Sequence, residues 1–466
     1  MNTYIIRKES DIMKERIINS LNNMRMRNEA LAKALTDTAN LTDYKHLTFT
    51  DDEGRIIWSD AFDAAIRERE RLEIPDGEYF VNRTIVIPSC RMIYASTEAH
   101  IKKTPLMNTL LVRNESVMDG THFPIPKGAE DKNITIVGGV WEDTNENDIG
   151  YHGLYDANDS MVGINSCFFF DNMVGLNIDG VKIIRAGGFG VQVGNLTDAV
   201  IENVEFVRTL ADGVHINGNT KNIIVRNISG TVADDIVAFN MYDWQRSSVC
   251  FGPIENALCE NITLYPEARY KAIRVLPGLY YYDDNSTVRC DINDVIIRNV
   301  RGVNTFKFYF QTPPYSVDAA REKGDPGHGG NIFIEDVKIK LDAPIDAFDE
   351  YMNADPVLGS FAAFEFGSYF GKVTLKDIDI EIDKSLHPMA FLATIGPKSI
   401  RRDEYEIFDP ELSSEIDELV LDGVKINSTP LDDDMLNDYV HEIKFEALYG
   451  DKNLTSSGKF KSITVI

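Results

Sequence analysis

From about residue 130 onward the chain repeats a short pattern of apolar and polar positions: apolar, any residue, then Asn, Asp or Gly, then Val or Ile, any residue, apolar. It reads "IDGVKI" at 178, "IENVEF" at 201, "VRNISG" at 225, "CENITL" at 259, "IRNVRG" at 297, "IEDVKI" at 334, "LKDIDI" at 375 and "LDGVKI" at 421. The apolar anchors are Val181, Val204, Ile228, Ile262, Val300, Val337, Ile378 and Val424, separated by 23, 24, 34, 38, 37, 41 and 46 residues. The first separations suit one minimal coil and the later ones a coil with insertions.

A period of about 23 with several short β runs per unit predicts a parallel β-helix rather than a propeller, whose period approaches forty, or a leucine-rich repeat, which needs regular Leu. The third position carries Gly180, Asn203, Asn227, Asn261, Asn299, Asp336, Asp377 and Gly423. These residue types tolerate a left-handed backbone, so the same tight bend is expected in every coil, with Asn side chains bonding up the stack. Before the repeat the period changes. Met13, Ile17, Leu21 and Met24 fall at helical spacing within residues 9–36, and "SDAFDAAIRERE" predicts a second, short helix. The fold class expected is therefore all-β, a single solenoid with an N-terminal helical cap over residues 1–75 and a β-helix domain over 76–466.

Equivalent positions of successive coils lie about 4.8 Å apart, so aligning coils reads neighbours from sequence. "GGFGVQVGN" (187–195), "LADGVHINGN" (210–219), "VADDIVAFN" (232–240), "YKAIRVLPG" (270–278) and "NTFKFYFQT" (304–312) align. The alignment sets Asp212 in register with Asp234, whose neighbour Asp235 makes a third carboxylate. It also gives an outward column of Gln192, His215, Val237, Arg274 and Lys307. Adjacent strand residues face opposite ways, so Asp234 and Asp235 share a cleft only where the backbone bends, at the entrance of a strand.

Clustered carboxylates beside cations suit glycoside hydrolysis, in which one carboxyl donates a proton to the glycosidic oxygen while others activate water across a gap of about 6.5–9.5 Å. The pair "ADGVHI" and "ADDIVAFN" resembles the two aspartate motifs of the polygalacturonase-like glycoside hydrolases of family 28, right-handed parallel β-helix enzymes within the pectin-lyase-like group that invert at the anomeric centre. The resemblance implies Asp234 as general acid and Asp212 and Asp235 as the residues that hold the nucleophilic water. "IPDGEYFVNRTIVIPS" resembles the first coil of such proteins. The family's Gly-His-Gly segment is absent, with "CFGPIENAL" in its place, and its Arg-x-Lys clamp is half matched by "IRVL", where Arg274 is present and Leu276 replaces the lysine. The substrate expected is thus an oligosaccharide or polysaccharide fragment other than simple polygalacturonate. His215, Arg274, Lys307 and Trp244 are the substrate-binding candidates. A lyase or epimerase on the same scaffold, and a non-catalytic glycan-binding or phage tail-type protein, are the competing readings.

Composition narrows the partners. A formal net charge of −27 disfavours nucleic acid and anionic membranes, whose attraction comes from Lys and Arg. The N-terminus has no apolar signal segment, which leads to the expectation of a cytoplasmic protein or one that leaves by a signal-independent route, and five cysteines without CxxC spacing suit a reducing compartment. No spacing calls for a cofactor or a metal, a homo-oligomer (dimer or trimer) is compatible, and Asp283 and Asp284 read as a solvated loop rather than a calcium site. Tyr151, His152 and Tyr155 read as loop packing in preference to a sugar platform.

Overall fold

The computed structural model describes residues 2–105, 107, 110–116, 130–143, 166–242, 250–268, 270–281, 286–309, 327–341, 361–385, 388, 390–396, 414–449 and 452–466. Trp244, Tyr151, His152, Tyr155, Asp283 and Asp284 lie outside them. The chain divides into two compact units, one of residues 19–216 and 220–237, the other of residues 1–18, 217–219 and 238–466.

Both units are stacks of parallel β coils, as the repeat predicts. In the first, Asp131–Val137, Phe168–Asp179, Val191–Thr209 and Thr220–Val232 pair in parallel, with Ile136, Ile178, Ile201 and Val225 stacked in one row. In the second, Ile254–Leu264, Ile292–Arg301, His328–Leu341, Tyr369–Ile382 and Ser414–Asp422 do the same, and Cys259, Ile297, Ile334, Leu375 and Leu421 form a fully buried row. Each rung buries one branched or apolar side chain, about 1.5–3 kcal/mol of transfer free energy.

The repeat anchors fall in the register read from sequence: Val204 opposite Ile228, Ile262 opposite Val300, Val300 opposite Val337 and Val337 opposite Ile378. All eight residues at the third motif position have positive φ, from 50° at Asp336 to 67° at Gly180 and Gly423. The Asn ladder is present too. Asn227 Nδ2 donates to Asn203 Oδ1 at 2.7 Å, and Asn299 Nδ2 to Asn261 Oδ1 at 2.7 Å.

The residue just before each bend carries a feature the sequence reading missed. Glu202 lies opposite Arg226 in the first unit, and Glu260, Arg298, Glu335 and Lys376 follow one another in the second, so charge alternates from rung to rung. Arg298 Nη2 lies 2.6 Å from Glu260 Oε2. The long helix α1, Asn2–Ala34, engages the acidic rungs. In the second unit Lys14 pairs with Glu335, and in the first Arg25 Nη2 donates to Glu202 Oε1 at 3.0 Å. In each unit α1 thus meets a charged rung of the coils. It is the shorter helix α2, Ser59–Glu68, that sets Phe62, Ala65 and Ile66 into the N-terminal coils, with Ser59 Oγ donating to Asn82 Oδ1 at 2.8 Å. The charge ladder gives the cations of α1 a buried carboxylate to meet in the first unit, Glu202, and a half-buried one in the second, Glu335. Among the described residues no helix is long and apolar enough to cross a membrane.

Candidate active site

Asp212, Asp234 and Asp235 belong to one unit, on two successive coils. Each coil makes a sharp corner before its strand. Thr209 Oγ1 donates to Ala211 O at 3.0 Å, Leu210 N–H to Ala186 O at 2.9 Å, and Asp212 then leads into the strand Val214–Asn217. One coil on, the backbone bends at Ala233 and Asp234 before the strand Val237–Asn240, so the aspartate pair does sit at a strand entrance. Gly213 must be glycine at this corner. A Cβ there would lie 2.6 Å from the Ile236 carbonyl and 2.9 Å from the Phe206 ring.

The register corrects the sequence reading by one residue. Gly213 N–H donates to Asp235 O and Val214 N–H to Ile236 O, the same offset by which Val191 N–H meets Gly213 O where Val191 stands opposite Val214. Asp212 therefore lies against Asp235, with Asp234 beside them, and Val237 points into the core opposite Val214 instead of joining the outward column. The cause is a β-bulge in the strand below: Val207 pairs with Thr231 but Thr209 pairs with Val232, because Arg208 takes a left-handed conformation at φ 63° and consumes one residue.

One oxygen from each of the three carboxylates lies within 4.8 Å of the others. That is tighter than the gap of about 6.5–9.5 Å expected for acid and base flanking a water. The reason is a direct tie between coils: Asp212 Oδ1 accepts the Asp235 backbone N–H at 3.0 Å. Its other oxygen, Oδ2, lies 2.6 Å from His215 Nδ1. Asp234 is the most exposed of the three at 9%, against 3% for Asp212 and 1% for Asp235, whose two carboxylate oxygens are shielded from solvent. Asp212, Asp234 and Asp235 are also the one group among the described residues whose donor atoms are close enough to share a cation, although three clustered carboxylates alone do not make a metal site.

His215 is 1% exposed, not set on an open strand face as the period-two reading has it. Phe189 covers it, ring stacked on ring with centroids 3.9 Å apart and planes at 29°. Gln192 stands opposite His215 on the neighbouring strand and accepts a hydrogen bond from Ser166 Oγ at 2.8 Å. Phe189 and Ser166 were not among the candidates. The available signal was "GGFG": an aromatic between glycines, one coil below Asp212, at the one position where small neighbours let a ring lie against the corner.

Arg274 and Lys307 belong to the other unit, where they stand opposite each other on paired strands. Lys307 is 2% exposed, with its ammonium 4.9 Å from the centre of the Tyr270 ring, and Arg274 Nη2 donates to Tyr270 Oη at 3.2 Å. The column continues through Glu365 and Thr394 to His441. Lys307, Glu365 and Thr394 are buried rather than open to solvent as expected, while Arg274 and His441 are half-buried.

No family model matches the chain, and no curated protein matches it. Among solved structures it is similar to a hyperthermoactive exopolygalacturonase from Thermotoga maritima, at 13% identity over 95% of this chain and 96% of that one, with a TM-score of 0.46. It is similar to an endo-xylogalacturonan hydrolase from Aspergillus tubingensis, at 11% identity over 86% and 94% with a TM-score of 0.46. A third likeness is to the tailspike protein of E. coli bacteriophage HK620 in complex with a pentasaccharide, at 12% identity over 84% and 67% with a TM-score of 0.49.

Proposed function

We propose that the protein is a glycoside hydrolase that cleaves an oligosaccharide or polysaccharide fragment at Asp212, Asp234 and Asp235. The observation that carries the reading is the convergence of three carboxylates from two coils within 4.8 Å at a strand entrance. Two carboxylates that close repel by about 3.5 kcal/mol at an effective dielectric of about 20, a cost that a purely structural turn has no reason to keep. Asp234, the most solvent-accessible of the three, is the proton donor to the glycosidic oxygen. The two buried carboxylates, Asp212 and Asp235, hold and activate the attacking water. Their burial supports water as the nucleophile, since a shielded carboxylate reaches a sugar carbon less readily than a small water does. Inversion at the anomeric centre follows. His215 beside Asp212 is assigned to the same centre.

The close spacing favours a second reading, direct attack by a carboxylate with retention, for which acid and nucleophile stand about 5–5.5 Å apart. The experiment is a screen of oligosaccharides with NMR detection of the anomer first released. The inverted anomer supports water attack, the retained anomer moves the assignment to the second reading, and an unsaturated product points to a lyase instead.

A further inference from the structure

An ion pair stands inside the coils of the first unit, among apolar rows. Ala99, Ile101 and Lys103 alternate inward along one strand, with Ile101 opposite Trp141 and Lys103 opposite Val81. Asp143 follows Trp141 on the next coil, and its Oδ1 lies 2.5 Å from Lys103 Nζ, with both side chains wholly shielded from solvent. Two charges taken out of water regain by attraction little more than they lose in hydration, so an apolar pair of similar size would serve stability as well. An apolar pair could not, however, accept a hydrogen bond. Asp143 Oδ2 accepts the Gly187 backbone N–H at 3.2 Å. Gly187 belongs to the corner "RAGGFG", residues 185–190, which Arg185 opens in a left-handed conformation at φ 53°. The corner that carries Asp212 rests on this one through three backbone bonds: Leu210 N–H to Ala186 O at 2.9 Å, Ala211 N–H to Gly188 O at 3.1 Å and Gly190 N–H to Asp212 O at 2.9 Å. The same corner supplies Phe189, whose ring is stacked on His215, and Asp212 in turn holds the Asp235 N–H.

We infer that Lys103 and Asp143 are positioning residues for the carboxylate centre: the ammonium of Lys103 fixes the Asp143 carboxylate, the carboxylate ties down the 185–190 corner, and that corner sets where Asp212 stands and how the Phe189 ring meets His215. For catalysis this rests on the hydrolase reading; for the geometry of the corner it does not. Every link belongs to the first unit. Lys103 and Asp143 touch neither substrate nor the reacting atoms, and act through the backbone they hold. A misplacement of about 1 Å at reacting groups costs up to about 100-fold in rate, so a single backbone tie one coil below the centre is enough to matter.

Two double variants of the full-length protein separate the tie from the charges. Lys103→Met with Asp143→Val makes the pair apolar and removes the acceptor of the Gly187 N–H, whereas Lys103→Met with Asp143→Asn removes the charges and keeps an amide oxygen for it. Thermal unfolding confirms that each is folded. In ¹H NMR spectra the His215 ring protons, assigned by their loss in His215→Gln, carry the upfield ring-current shift of the stacked Phe189 ring, with Phe189→Leu as the unstacked reference. The Val variant should lose most of that shift and the Asn variant should keep it. On a sugar that the screen shows to be cleaved, the Val variant should lower kcat by about 10–100-fold with a smaller change in KM, and the Asn variant should restore most of the rate. A folded Val variant with the unmodified ring-current shift, or equal loss of the shift in both variants, overturns the positioning role. An unmodified kcat in the Val variant alongside an inactive Asp234→Asn also overturns it and leaves the hydrolase reading standing. If no sugar is cleaved, the hydrolase reading fails on its own, and the ring-current shift still decides what holds the corner. Should the Val variant not fold, the Gly187 amide of the unmodified protein decides: hydrogen exchange as slow as that of the core strands is expected from its bond to Asp143, and exchange at the rate of an open loop overturns the tie.

Discussion

Replacing Asp234 by Asn should make the protein more stable. Asn keeps the size of the side chain and its turn chemistry, so if the aspartate pair serves only to end a strand, the change is neutral. The cluster gives a different expectation. Asp234 has two carboxylate neighbours with nearest oxygens within 4.8 Å, and each such pair repels by about 3.5 kcal/mol at an effective dielectric of about 20. Part of that is relieved by the His215 contact and by water at the 9% of Asp234 that is exposed. A net gain of about 1–3 kcal/mol remains, which is a rise of a few degrees in Tm for a chain of this size. The assay is differential scanning calorimetry of the two proteins at pH 7 and again near pH 3.5. The gain should be present at pH 7 and shrink in acid, where protonation removes the repulsion from the unmodified protein. A Tm that is unchanged or lower at pH 7, or a gain that persists in acid, refutes the argument that the carboxylates are held against their mutual repulsion.

Two further expectations test the surroundings. Glu202 Oε2 accepts from Arg226 Nε at 2.6 Å and Oε1 from Arg25 at 3.0 Å, so Glu202→Gln should cost about 1–3 kcal/mol by removing the anion that the two guanidinium groups share; a denaturation midpoint equal to that of the unmodified protein would remove the charge ladder as the reason α1 docks. Burial holds the Asp171 carboxyl well above the usual carboxylate range. The unfolded chain therefore releases that proton first as pH rises, and the penalty grows from about pH 4 upward. Asp171→Asn should raise Tm at pH 7 and make no difference near pH 4, and an equal shift at both values would contradict this.

The coil stack was legible because its bend is chemically narrow. Only Asn, Asp and Gly sit comfortably at positive φ, so the third motif position announces itself, and all eight are left-handed. Hydrophobic rows followed from the same register. The clustering of Asp212, Asp234 and Asp235 was legible and their register misplaced by one residue, since the bulge at Arg208 uses a residue type that seldom turns left-handed and leaves no mark in the sequence. Exposure was misread for a related reason. Period-two alternation says which way a side chain points, not what covers it, and the stacking of Phe189 on His215 joins residues 26 positions apart by ring contact. The alternating charges at Glu260, Arg298, Glu335 and Lys376 were present in the aligned repeats but emerge only when that column is read for sign rather than hydropathy.

The most direct test of the central claim is single-turnover cleavage by the unmodified protein and by Asp234→Asn of an oligosaccharide that the screen identifies, with the released anomer followed by NMR. Loss of the proton donor should lower the rate by about 100-fold or more, with the residual product of the same inverted configuration. Cleavage by Asp234→Asn at the unmodified rate would contradict the assignment of these three carboxylates as a hydrolytic centre.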